Sequence, residues 1–151
     1  MHQSSYIMEI LDCFGMTECK PVGTLMDSNV KLIKPDATNQ GEEKVPYREL
    51  IGALMYLAVS TRPDIAYTVS SLSQLNDCNG PIHWNAAKRV LRYLKGTINQ
   101  GIIFKRSTEP LQCYVDSDWG GCPNDRRSYT GFVTILSNGP ITYGKLKNRE
   151  Q

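Results

Sequence analysis

Apolar residues return along this chain with two different periods. Tyr6, Ile7, Ile10, Leu11 and Phe14 recur every three or four positions, the spacing of one helix face. They predict a helix over 4–15, capped by Ser4 or Ser5 and stopped at Gly15. Leu50, Ile51, Leu54, Leu57 and Ala58 predict a second helix over 45–59, with Pro46 at its start, where a missing N–H costs nothing. Gly52 and Ala53 would let another backbone approach it closely. Ser60-Thr61-Arg62-Pro63-Asp64 interrupts and restarts the chain, with Thr61 as cap, Pro63 in the first turn and Asp64 favouring the positive helix end. Ile65, Ala66, Val69 and Leu72 then mark the inner face of a third helix. In the fourth, over 83–95, Trp84, Ala87, Leu91 and Leu94 form one stripe.

After Gly96 the period changes to two. Ile102-Ile103-Phe104 predicts a short strand, 111–116 a second, and Tyr129–Leu136 a third, with Phe132, Thr134 and Leu136 opposite Val133 and Ile135. Ser137-Asn138-Gly139-Pro140 carries an Asn-Gly hairpin signal, with 141–144 as the returning strand. Helices followed by antiparallel strands make an α+β pattern. A polar stretch over about 27–44, with Pro35 and Gly41, reads as a surface loop or linker.

Charge sharpens this picture more than composition does. The chain has 151 residues, enough for a domain with a core, and a net charge of +2. Between Pro81 and Ser107 lie Lys88, Arg89, Arg92, Lys95, Lys105 and Arg106 and no acid, whereas residues 1–40 hold five acids against three lysines. Lys88, Arg92 and Lys95 repeat at helical spacing, with Arg89 beside them. Such a stripe is either a solvated helix face or a track for nucleic-acid phosphates. No apolar run approaches the ~20 residues that span a bilayer, and the start shows no secretory signal. The five cysteines (13, 19, 78, 113 and 122) form no Cys-x-x-Cys, and neither histidine stands at ligand spacing from one. Free thiols are expected rather than a zinc site.

The stretch Tyr114-Val-Asp-Ser-Asp-Trp119 comes nearest to a chemistry. An apolar strand runs into two carboxylates, Asp116 and Asp118, and then Gly120-Gly121. That holds a carboxylate still at a sheet edge, as a metal requires, or is simply turn chemistry after a strand. A two-metal nuclease needs several carboxylates converging on its ions; Asp125 follows in a turn, and no later strand or helix adds an acid. An Asp-Ser-Asp site for a nucleotide sugar would need an upstream βα unit with a glycine-rich loop, and none is found. Cys113 or Cys122 with His83 lacks any nucleophile signature. The Tyr-x-Asp-Asp polymerase hairpin is not matched, since Ser117 stands where the second acid belongs.

Taken together, several ordered stretches resemble one family. These are Pro46-Tyr-Arg-Glu-Leu-Ile-Gly-Ala-Leu-Met-Tyr-Leu57, Thr61-Arg-Pro-Asp-Ile-Ala-Tyr67, His83-Trp84, Lys88-Arg-Val-Leu-Arg-Tyr-Leu-Lys-Gly-Thr97, Tyr114-Val-Asp-Ser-Asp-Trp119 and Asp125-Arg-Arg-Ser-Tyr-Thr-Gly-Phe132. They resemble the Pol polyprotein of copia-type LTR retrotransposons, from the end of the reverse transcriptase to the start of the ribonuclease H domain, over about residues 3–143. The resemblance implies a helical thumb or connection-like region over 1–98, then a truncated, incomplete antiparallel ribonuclease H-like sheet over 99–151. It implies nucleic-acid contacts at Lys88, Arg89, Arg92, Lys95, Arg126 and Arg127. It makes Asp116 the first catalytic aspartate and, with Asp118, a ligand of Mg²⁺ in the complete parent. The family's polymerase aspartates would lie before Met1, and its remaining ribonuclease H carboxylates after Gln151, so this fragment is expected to be inactive alone. An RNA/DNA hybrid or DNA duplex and the rest of the polyprotein are the implied partners, with no membrane. The implied location is intracellular, in a virus-like particle or the nucleus. Ile141-Thr-Tyr-Gly-Lys departs from the family's Ile-Ser-Trp and Ser-Lys, so 144–151 fit it poorly.

Overall fold

The computed structural model describes residues 1–27, 32–33, 45–117 and 128–147. The element order is α1 (Ser4–Cys13), α2 (Tyr47–Ser60), a 3₁₀ turn (Pro63–Ile65), α3 (Ala66–Ser73), α4 (Pro81–Gly96), β1 (Gln112–Ser117), β2 (Tyr129–Leu136) and β3 (Gly139–Lys147). This is an α+β chain, and it divides into two compact units. One runs His2–Gly101; the other comprises Ile102–Gln151 with Met1. Most of the polar stretch expected over 27–44 lies outside the described residues.

The helical unit is organised by its periodic apolar faces. Leu50, Leu54 and Leu57 of α2 are fully buried, as are Val69 and Leu72 of α3 and Ala87, Val90, Leu91 and Leu94 of α4. Ile7 and Leu11 of α1 join the same core. Each such leucine contributes about 1.5–3 kcal/mol by leaving water. α4 packs against each of the other three helices, so its apolar stripe is the centre of the unit. That stripe includes Val90, which is buried, whereas Trp84 is only half-buried. Trp84 meets Phe14 edge-to-face at 6.3 Å between ring centroids.

Local details differ from the sequence reading at three places in this unit. Neither Ser4 nor Ser5 caps α1; its N-cap is Gln3, without a side-chain hydrogen bond. Thr61 does not cap the next helix, because its hydroxyl donates to Gln3 Oε1 at 2.7 Å. A 3₁₀ turn beginning at Pro63 starts that segment instead. Gly52 is exposed, and a Cβ there would meet nothing within 4 Å, so among the described residues no backbone approaches it. Gly15 does end α1, at φ +64°, a conformation that favours glycine.

The sheet unit has three antiparallel strands in the order β1-β2-β3. Asp116 pairs with Gly131, which pairs with Lys145. Ile102-Ile103-Phe104 is not a strand. The Ile102 N–H donates to the Met1 carbonyl and the Lys105 N–H to the Ser137 carbonyl, both at 2.9 Å, so the segment makes isolated bonds rather than a ladder. The hairpin turn is centred on Ser137-Asn138, with φ of 52° and 59°, one residue before the Asn-Gly pair. Two positive φ values match the right-handed strand twist. Gly139 opens β3 instead, and a Cβ there would lie 2.7 Å from the Phe104 ring, so the ring takes the space a side chain would fill. β3 continues to Lys147, three residues past the expected end.

Candidate nucleic-acid interface

The basic residues of α4 do not simply extend into water. The Arg92 Nε donates to the Lys20 carbonyl at 2.7 Å. The Arg89 guanidinium donates to the Thr24 carbonyl at 3.2 Å and its hydroxyl at 2.7 Å, and lies 3.9 Å from the Asp27 carboxylate. The Lys95 ammonium donates to the Thr17 carbonyl. Lys88 instead sits over the Trp84 ring, 5.7 Å from its centroid. The connection after α1 is thus clamped onto α4 by its cations. The fixed side chains have already lost much of the rotamer freedom that binding would otherwise remove.

Lys88, Arg89 and Arg92 line one cavity of about 490 Å³ together with Asp27. Its apolar wall comes from Met16, Leu25, Met26, Leu32, Ile82 and Ala86. The arrangement can hold an anion beside an apolar surface. Arg126 and Arg127, the other cations expected to touch nucleic acid, lie outside the described residues.

At the base of α4, His83 is nearly fully buried, 3% exposed. Its Nδ1 accepts the Gly80 backbone N–H at 2.9 Å, which leaves Nε2–H to donate to the Ile33 carbonyl at 3.0 Å. Burial pushes its pKa below the ordinary value, and the Ile33 bond opposes this only in part. The ring is a neutral brace between α4 and residue 33, not a nucleophile's base. A histidine three residues after a glycine N-cap was the sequence signal for this role.

Arg62 is the functional group that sequence patterning passed over. It is 1% exposed. Nε and Nη2 make a two-pronged pair with Asp64 at 3.0 and 2.8 Å. Nη1 reaches the Thr97 carbonyl at 3.0 Å and Nη2 the Thr97 hydroxyl at 2.6 Å. The Tyr93 hydroxyl donates to Asp64 at 3.0 Å, and its ring lies 5.7 Å from the guanidinium. Burial raises the Asp64 pKa, but the bonds and charge of Arg62, with Tyr93, outweigh it and hold the carboxyl below its ordinary value. This pair, buried on its Arg62 side, ties the restart after α2 to the C-terminal end of α4.

Asp116 stands exposed on β1. The bare Gly131 is its cross-strand neighbour, and Lys145, one strand further, lies over the Tyr129 ring at 3.9 Å. Asp118 lies outside the described residues. Among the described residues no three His, Cys, Asp or Glu side chains converge on a common point. Asp116 with its described neighbours therefore does not fit a Mg²⁺ site. No described helix is long and apolar enough to cross a membrane.

Comparison with known proteins decides the family. The chain is 38% identical over 148 residues to the retrovirus-related Pol polyprotein from transposon TNT 1-94 of Nicotiana tabacum, covering 95% of this chain and 11% of that protein. It is 39% identical over 150 residues to the Pol polyprotein from transposon RE2 of Arabidopsis thaliana, covering 99% and 10%. The chain belongs to the copia-type retrotransposon Pol polyprotein family. It spans about a tenth of the length of these two relatives. It is also 44% identical over 108 residues to a secreted RxLR effector protein of Plasmopara viticola, covering 71% of this chain and 76% of that protein. No family model matches the chain, and no solved structure matches it significantly. The stretches read from the sequence thus lie in a chain of this family, whose α4 cations are fixed in place.

Proposed function

We propose that this chain is a nucleic-acid-holding segment of a copia-type Pol polyprotein, catalytically inactive by itself. Its contact surface is the α4 face bearing Lys88, Arg89, Arg92 and Lys95, aimed at a DNA duplex or RNA/DNA hybrid. The observation that carries this reading is the fixing of these cations: Arg89, Arg92 and Lys95 each hydrogen-bond a main-chain carbonyl of the preceding connection. Pre-set cations release phosphate counterions on binding without first having to be ordered.

Asp116, in this proposal, is the first carboxylate of a ribonuclease H-like Mg²⁺ site whose other ligands come from elsewhere in the polyprotein. The exposed apolar residues Val115, Ile141 and Leu146 of the sheet unit support the remainder of the polyprotein as the partner that covers this sheet.

The test is binding to a DNA duplex and an RNA/DNA hybrid across a salt series. Lys88→Glu with Arg92→Glu is expected to weaken both about tenfold or more and to flatten the salt slope by about two phosphate contacts. Unchanged binding overturns the interface. The same hybrid incubated with Mg²⁺ is expected to stay intact. Robust cleavage that Asp116→Asn abolishes would overturn the claim of inactivity.

A further inference from the structure

The cavity beside α4 is built for something smaller than a duplex. At about 490 Å³ it has the size of a small-ligand site, and it carries two kinds of lining. Met16, Met26, Leu25, Leu32 and Ile82 make an apolar wall that the flexible methionines can shape to a flat ring. Thr68, Asn85 and Asp27 set polar side chains into the same lining. An acyl chain would offer the Thr68 and Asn85 side chains no hydrogen bond, at a cost for each. A heteroaromatic base offers them donors and acceptors along its edge.

The cations divide in the same way. Arg89 is engaged by Thr24 and faces the Asp27 carboxylate at 3.9 Å. Among the described residues, Lys88 has only the Trp84 ring beneath it, and Arg92 is held through Nε alone. These two leave donors for a phosphate, whereas Asp27 would repel a phosphate and accept from a base N–H.

We propose that this cavity receives one unpaired nucleotide of a nucleic-acid strand, with its base against the methionine and leucine wall and its phosphate on Lys88 and Arg92. The substrate class is therefore a single strand or a frayed end, which the duplex-tracking face alone would not prefer. The inference rests on the reading of α4 as a nucleic-acid surface.

The experiment compares three probes by fluorescence anisotropy at one salt concentration: a short oligothymidylate, the same backbone with abasic sugars, and a blunt duplex of equal length. The base-bearing strand is expected to bind about tenfold more tightly than the abasic one, the effect of seating one base. It is also expected to bind more tightly than the duplex. Ala86→Trp, which fills the cavity, is expected to erase the advantage over the abasic strand; its thermal melt checks that it folds. Equal binding of base-bearing and abasic strands by the unaltered protein overturns the pocket while leaving the basic surface standing. Binding to none of the three overturns both.

Discussion

The helical unit and the sheet unit of one chain solve burial in opposite ways. In the helical unit, leucines from α2, α3 and α4 reach complete burial. In the sheet unit only Ile102 and Tyr129, among the described residues, join the buried apolar set, and Val115 on β1 is 69% exposed. Each helix satisfies its own backbone and needs only a stripe to pack. A three-stranded sheet must place a second layer on its faces. Apolar residues therefore make a core in one unit and exposed strand surface in the other.

The comparison can be broken most directly at Arg62. Removing it by Arg62→Leu leaves Asp64 and the Thr97 carbonyl without their partner. The expected loss is about 2–3 kcal/mol, below the full cost of an orphaned buried charge because Asp64 is partly open to water. Urea unfolding followed by helical circular dichroism checks it; a loss under about 0.5 kcal/mol, the level of an ordinary surface change, would mean the pair is not a tie. The next test uses one substitution in both units. Val90→Ala in the fully buried α4 site is expected to cost about 1–2.5 kcal/mol. Val115→Ala on β1 is expected to stay within about 0.5 kcal/mol. Equal losses would erase the contrast between the units.

The smallest expected effect is the pH response of His83. Its folded pKa lies below its unfolded one, so the unfolded chain binds more protons between the two values. The stability His83 contributes is complete above about pH 6.5 and is lost as pH falls toward the folded pKa. Asp64, also lowered, acts in the lower window where carboxylates titrate, so the two separate. Urea midpoints at descending pH should fall across this range, and His83→Asn should flatten the slope. A slope that persists in His83→Asn would assign it to another group.

Much of the helical unit was legible because its signal is local. Leu50, Leu54 and Leu57 announce a buried face through spacing alone, and all three are buried. The β2–β3 hairpin was legible for the same reason, although its turn shifted to Ser137-Asn138, both at positive φ. Ile102–Phe104 was misread because strand-like composition does not supply a neighbouring strand. The basic stripe was visible as spacing, but its hold on the connection was not. Arg92 finds its carbonyl 72 residues away in the chain.

By itself the sequence determined the helical period, the apolar faces, the cation stripe on α4 and the family. Periodicity and motif order are carried by neighbouring residues, so they need no fold to be read. Only the tertiary structure decided that Arg62 is buried against Asp64 and Thr97, that His83 is a neutral brace, and that Lys88, Arg89 and Arg92 border one cavity. Each of those facts depends on a polar group's partner, and Arg62 meets Thr97 across 35 residues of chain. Burial makes such a partner obligatory, and only the packing of the helices determines which residue it will be.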